Sequence, residues 1–303
     1  MPSEVFMDLD FARPDLELAL AVIVVTLMTL GAYRLGCRFQ SASERSDRWV
    51  FLGLVGISFL FAWSFFGRLI WAEAITSSAA LYWSNVTPVV LAFSAGMAGH
   101  AVDLRRNFRP AVAGIMMTLA VAFVITPIAR PVLFPLDWDQ PREPQWMSQW
   151  HDGVYIQSNS ASCAPAAAVT LLDRSGIKAD EQDLAKSCLS SSLGTAPLGL
   201  YRGLSTVAHQ HDRKAKVASR NPSLWLEKGQ LPNVALVRFG LTGDNPQDNG
   251  FLGNVTVGHV VTVLGQTDGG RWLIGDPAVG KVSWSDEELR RRFTGEAIYL
   301  ADQ

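Results

Sequence analysis

Cysteine is scarce in this chain: three residues, Cys37, Cys163 and Cys188, among 303. Three are too few for a disulfide framework. No Cys-x-x-Cys spacing occurs, which removes the usual structural zinc arrangements. Charge is scarce as well. Asp, Glu, Lys and Arg make up 18% of the residues, and a formal net charge of −2 offers no footing for nucleic acid. No Gly-x-x-x-x-Gly-Lys-Ser/Thr loop is present, so nothing here cradles ATP in that way. Internal repeats and low-complexity tracts are also missing.

What is present divides sharply near residue 130. Before it lie long apolar blocks, at about Leu16–Tyr33, Trp49–Phe66, Ala79–Ala98 and Ala111–Ile128. Each approaches the ~20 apolar residues that carry a helix across a bilayer core. The sequence therefore predicts four transmembrane helices, the third weakened by Asn85 and Pro88. The first block follows an acidic stretch (Glu4, Asp8, Asp10, Asp15) rather than a basic one, and is long for the apolar region of a signal peptide. It reads as an anchor. Arg34, Arg38, Arg45 and Arg48 follow the first block, and Arg105, Arg106 and Arg109 follow the third. Arg-rich connectors stay cytoplasmic. Both termini and the whole C-terminal half are thus expected on the outer side of the membrane. Asn85 and His100, polar residues in or beside these blocks, read as interhelical or interfacial hydrogen-bond partners before they read as a transport path.

Residues 134–152 form a linker rich in Pro and Trp, with Trp138, Trp146 and Trp150 fitting either an interfacial belt or packing under the next domain. From Gly153 onward the pattern is that of a soluble domain. CAPAAAVTLLDRSG, Cys163 to Gly176, predicts a helix with Pro165 in its first turn and Gly176 at its stop, capped by Ser160 or Ser162. Further helices are predicted at Asp180–Cys188 and Pro197–His209. Three β-rich runs follow, at Asn233–Phe239, His259–Gln266 and Arg271–Asp276, the last two joined by a DGG turn.

A cysteine at a helix start sits in the field that favours a thiolate. A thiol nucleophile needs a base, and the base needs an acceptor that fixes its tautomer. His259 opens one strand and Asp276 ends the next, so antiparallel pairing brings them to one end of a hairpin. Gln157, six residues before Cys163, lies in the loop leading to the helix. Its amide and the Cys163 N–H could form an oxyanion hole. Cys163 alone reads as an inert helix-start thiol; joined to these three it reads as a nucleophile. Cys188 reads as a buried apolar residue, and a Cys163–Cys188 disulfide stays open. His209 and His211 read as a solvated helix end with no further metal ligands. Turn chemistry explains GDNPQDNG, Gly243–Gly250, better than a Ca²⁺ site. No metal and no cofactor is expected.

Gln157 with Cys163, the string CAPAA, GHVVTVLG around His259 and LIGDPAVGKVSWSDEEL around Asp276 resemble the bacteriocin-processing cysteine peptidases, papain-like domains that clip double-glycine leaders and are often fused to ABC exporters. The resemblance covers about Gly153 to Leu300. It implies an α+β, papain-like two-lobe peptidase domain, which in this chain stands behind the all-α membrane domain expected from the four apolar blocks. It also implies Cys163 as nucleophile, His259 as general base and acid, Asp276 as orienter and Gln157 as oxyanion donor. The resemblance implies a peptide substrate and a separate exporter or ATPase subunit as partners, and the apolar blocks imply the lipid bilayer of a bacterial inner membrane. Ala164 stands where the family usually has Gly, and here the domain follows apolar helices instead of preceding them. The rival expectation is a catalytically silent, peptidase-like domain that docks substrates or serves as an accessory subunit of a peptide exporter.

Overall fold

A computed structural model describes residues 14–39, 44–64, 67–98, 108–138, 149–240 and 256–302. The chain divides into two compact units, one ending at Ala129 and the other running from Arg130 to Gln303, with Ala72–Ala74 grouped with the second. His100, Trp146 and the Gly243–Gly250 loop lie outside the described residues.

The first unit is helical: α1 (Pro14–Arg38), α2 (Glu44–Ser64), the start of α3 (Ile70–Ala74), α4 (Ala80–Trp83), α5 (Thr87–Met97) and most of α6 (Arg109–Leu133). Leu91, Ala92, Ala95 and Met97 of α5 form its core with Phe51, Met116 and Ala120. Helices α1 and α5 meet backbone to backbone. A Cβ on Gly36 would fall 2.1 Å from Phe93 O, and one on Gly96 would fall 2.3 Å from Tyr33 O. Small residues that let helix backbones touch are a device of helix association in lipid. Glu17, 3% exposed, accepts hydrogen bonds from the hydroxyls of Ser77 and Ser78. Asn85 Nδ2 donates to Phe123 O at 3.0 Å, tying the segment before α5 to α6.

The four expected crossings reduce to two. Among the described residues, only α1 and α6 are long and apolar enough to cross a membrane, with 28% and 17% of their most apolar windows buried. Residues 49–64 of the second block lie in α2, but that helix begins ERSDR, and its apolar part is confined to Trp49–Ala62. The third block is not one helix. It breaks at Ser84–Val86, and α5 starts afresh with Pro88 in its first turn. At 1.5 Å per residue, 11 residues span roughly 16 Å, about half a bilayer core.

The second unit mixes helix and sheet. β1 (Trp150–His151) and β2 (Val154–Tyr155) form a small ribbon, followed by α7 (Cys163–Arg174), α8 (Glu181–Ser187) and α9 (Pro197–His209). Then come β3 (Arg213–Val217), a 3-10 turn at Pro222–Leu224, β4 (Asn233–Gly240), β5 (Thr256–Gln266), β6 (Trp272–Asp276), β7 (Gly280–Trp284), α10 (Asp286–Arg292) and β8 (Phe293–Asp302). The six long strands form one antiparallel sheet in the order β3-β8-β4-β5-β6-β7. Alternating strand residues such as Val261, Val263, Trp272 and Ile274 build the core with Trp225, Trp284 and Leu289. A capping box between Ser285 and Glu288 starts α10.

Candidate active site

Helix α7 is the element that fixes Cys163. Every residue from Ala164 to Leu172 is buried. Thr262 of β5 donates its hydroxyl to Ala167 O at 2.8 Å, and Thr170 accepts from the Tyr155 N–H at 2.9 Å. The helix is thus bolted to the sheet and to β2, with Cys163 its first, half-buried residue. The expected serine cap is different. Ser162 occupies the N-cap position, but its side chain makes no capping bond to the helix. Its hydroxyl donates to Asn159 O at 2.8 Å and accepts from Asn159 N–H at 3.0 Å. The hydroxyl braces the preceding loop rather than the helix.

Strand pairing brings His259 and Asp276 together. Thr262 pairs with Gly275 across β5 and β6, so Asp276 lies diagonally across from His259. His259 Nε2 stands 2.8 Å from Asp276 Oδ1, with the two side chains 15% and 10% exposed. The same Oδ1 accepts from the Ala278 N–H at 2.9 Å, within the turn that Gly280 closes at φ +93°. The imidazole also interacts with the Cys163 side chain. With Nε2 directed at Asp276, Nδ1 is the nitrogen left for the thiol. Burial works against a charged ring here. The hydrogen bonds to Asp276 and Cys163, and the attraction of the same two groups, outweigh it and push the imidazole up to about 10. A protonated imidazole beside a cysteine is the partner a thiolate nucleophile requires. Phe239 flanks the ring at 5.6 Å between centroids, and Arg292 lies 4.9 Å above Phe239.

Gln157 sits between β2 and α7. Its N–H donates to Pro277 O at 2.8 Å, tying its loop to the residue after Asp276. Its Nε2 donates to Asn159 O at 3.0 Å. A primary amide has two N–H bonds, so one remains to donate. Asn159 Nδ2 donates onward to Asp137 O at 2.6 Å. Ser158 N–H donates to both carboxylate oxygens of Glu181, at 3.1 and 3.2 Å. Glu181, Asn159 and Phe239 frame the site, yet no spacing in the sequence marked them. Their contacts depend on loop path and sheet order.

Cys37 and Cys188 are free, as is Cys163, so the disulfide left open above is not formed. Cys188 is fully buried, and burial, partly offset by Arg202, pushes its thiol up to about 12. It packs on α9 where a Cβ on Gly203 would fall 2.2 Å from its sulfur. Among the described residues no group of three or more His, Cys, Asp or Glu side chains converges on a metal position.

No family profile matches the chain. It is 24% identical over 147 residues to an uncharacterized protein of Methanothermobacter thermautotrophicus, covering 48% of this chain and 87% of that one. A Methanothermobacter marburgensis protein matches to the same extent. Among solved structures, the peptidase domain of Streptococcus ComA, a bifunctional ABC transporter of a quorum-sensing pathway, is 21% identical; half of this chain and all of that one are covered, at a TM-score of 0.39. A double-glycine-motif protease from an AMS/PCAT transporter, solved with its leader peptide, is 20% identical over 50% of this chain and 91% of that one, at a TM-score of 0.37. Both of these solved structures are peptidase domains, and each likeness spans about half of this chain.

Proposed function

We propose that the protein is a membrane-anchored cysteine endopeptidase, with Cys163 as nucleophile, His259 as general acid and base, Asp276 as orienter and Gln157 as oxyanion donor. One observation carries the reading: a cysteine opening a buried helix interacts with an imidazole whose far nitrogen is 2.8 Å from a buried aspartate. That is the nucleophile, base and orienter in sequence.

In the proposed reaction, Cys163 Sγ attacks the substrate carbonyl carbon and its π electrons move to oxygen. The oxyanion is met by Gln157 Nε2–H and by the Cys163 N–H, one of the first-turn amides of α7 that have no acceptor within the helix. His259 then gives its Nδ1 proton to the departing amine as the C–N bond breaks, leaving a thioester. Water, losing a proton to the same nitrogen, attacks the thioester and releases the acid and the thiol. Asp276 keeps Nε2–H engaged throughout, so the working nitrogen faces the sulfur. Helices α8 and α9 with α7 on one side and the sheet on the other make up the two lobes of a papain-like cleft in this reading.

The exposed apolar faces of α1 and α6 support attachment to a bilayer. Two crossings, like four, put residues after α6 on the side of residues before α1. The acidic segment before α1 and the arginines after it favour the outer side of a bacterial inner membrane for the peptidase. The resemblance to double-glycine proteases favours a peptide precursor cut after a Gly-Gly or Gly-Ala pair, delivered alone or by a separate exporter. Proteomics of new N-termini, in cells carrying wild-type protein or Cys163→Ala, tests this. Cleavages present only with wild type, after Gly-Gly or Gly-Ala, are expected; an identical set of N-termini in both would reject it.

A further inference from the structure

We propose that Glu181 is a positioning residue for Gln157, holding the oxyanion donor in its working rotamer without touching substrate. The inference rests on the active-site reading above.

A side-chain amide is aimed only if the backbone beneath it is fixed. The backbone around Gln157 is fixed on both sides. Its own N–H is held by Pro277 O at 2.8 Å, and the next N–H, that of Ser158, is held by Glu181 at 3.1 and 3.2 Å. With both peptide planes anchored, only the side-chain torsions are free, and the bond from Nε2 to Asn159 O at 3.0 Å holds those. Pro277 ties the amide to the Asp276 turn. Glu181 ties it to α8, an element that supplies no other residue of the proposed site.

The choice of residue carries weight. Glu181 is 2% exposed, and a carboxylate taken out of water is costly unless hydrogen-bonded. An apolar residue would fill the first position of α8 at lower cost, because Asp180 already caps that helix through Gln182 N–H at 2.9 Å and Asp183 N–H at 3.1 Å. A buried acid aimed at the N–H adjoining the oxyanion donor has a use in ordering that loop.

Two probes separate this role from general folding. Iodoacetamide alkylates Cys163 by displacement of iodide and makes no oxyanion. A tripeptide ending in Gly-glycinal adds to Sγ: the C–S bond forms, the C=O π electrons go to oxygen, and the new alkoxide needs the oxyanion donors. Both are applied to the full chain in detergent, the aldehyde being read by its protection of Cys163 from alkylation. In Glu181→Ala, alkylation should stay within about twofold of wild type, while aldehyde affinity should fall about 10- to 100-fold, below the loss from deleting a donor outright. Glu181→Gln keeps an acceptor oxygen for Ser158 and should lie near wild type. Glu181→Asp, one methylene shorter, should give the same split as alanine and serves if the alanine variant does not fold. Equal losses on both probes, or none on the aldehyde, would overturn the inference and leave the active-site reading standing. A wild-type Cys163 that the aldehyde fails to protect would overturn both.

Discussion

Helices of the two units place apolar side chains in opposite settings. Ile23 and Leu27 of α1, with Ile115 and Ile125 of α6, are 51% to 62% exposed. In α7 the whole run from Ala164 to Leu172 is buried. Buried ionisable groups differ too. Glu17 in the first unit meets the hydroxyls of Ser77 and Ser78, whereas His259 in the second meets a carboxylate and a thiol. Hydroxyls satisfy a carboxylate; a carboxylate and a thiol together give an imidazole work to do. In the proposed reading the two tasks are divided: attachment falls to helices that turn apolar faces outward, chemistry to a domain that hides them.

The largest effect that could break this division is Cys163→Ala. Peptide hydrolysis should fall by on the order of 10³-fold or more, with folding stability changed by no more than about 0.5 kcal/mol. Full hydrolysis in that variant would remove chemistry from the second unit. Next is Asp276→Asn, expected to lower kcat by about 10²- to 10⁴-fold with little change in KM, because the imidazole loses its anionic partner. Steady-state kinetics on one peptide reads both constants.

The pH dependence sharpens the contrast further. In the proposed reaction His259 gives its proton to the amine, so hydrolysis should decline about tenfold per pH unit once pH rises past about 10. The stability effect has a definite sign. A histidine raised from 6.5 to about 10 by folding contributes stability that is complete below 6.5 and lost as pH climbs through about 10. Thermal unfolding between pH 6 and 10 should show this decline in wild type and a shallower one in His259→Asn. Smallest for catalysis is Gly96→Leu in α5. Its side chain has no room beside Tyr33 O and Cys37 N, so the first unit should lose about 1–3 kcal/mol in detergent while hydrolysis stays unchanged. A matching loss of hydrolysis would mean that the helices do more than attach.

Much of the second unit was legible because its signals are local. Pro165 and Gly176 bracket α7, and Gly176 adopts φ +80° just past the helix. The β4, β5 and β6 runs carry β-branched alternation, and their hairpin pairing put His259 near Asp276. The rest was hidden where distance in sequence decides. Strand β8, FTGEAIYLAD, has weak alternation and a Gly at 295, yet it inserts between β3 and β4 because its partners lie far back in the chain. Glu181 looks like an ordinary first-turn acid until the loop from β2 lays Ser158 upon it. In the first unit, composition alone overcounted the crossings. Asn85 and Pro88, read as weakening one helix over residues 79–98, instead stand at a break between two, with Asn85 in the gap after α4 and Pro88 in the first turn of α5.

The most direct test of the central claim is the rate at which iodoacetamide labels Cys163 at pH 6, read by peptide mass spectrometry in wild type and in His259→Ala. If the two residues form a thiolate–imidazolium pair, wild-type Cys163 should label on the order of tenfold or more faster than free N-acetylcysteine, and the advantage should vanish in His259→Ala. Equal labelling of Cys163 with and without His259 would contradict the account.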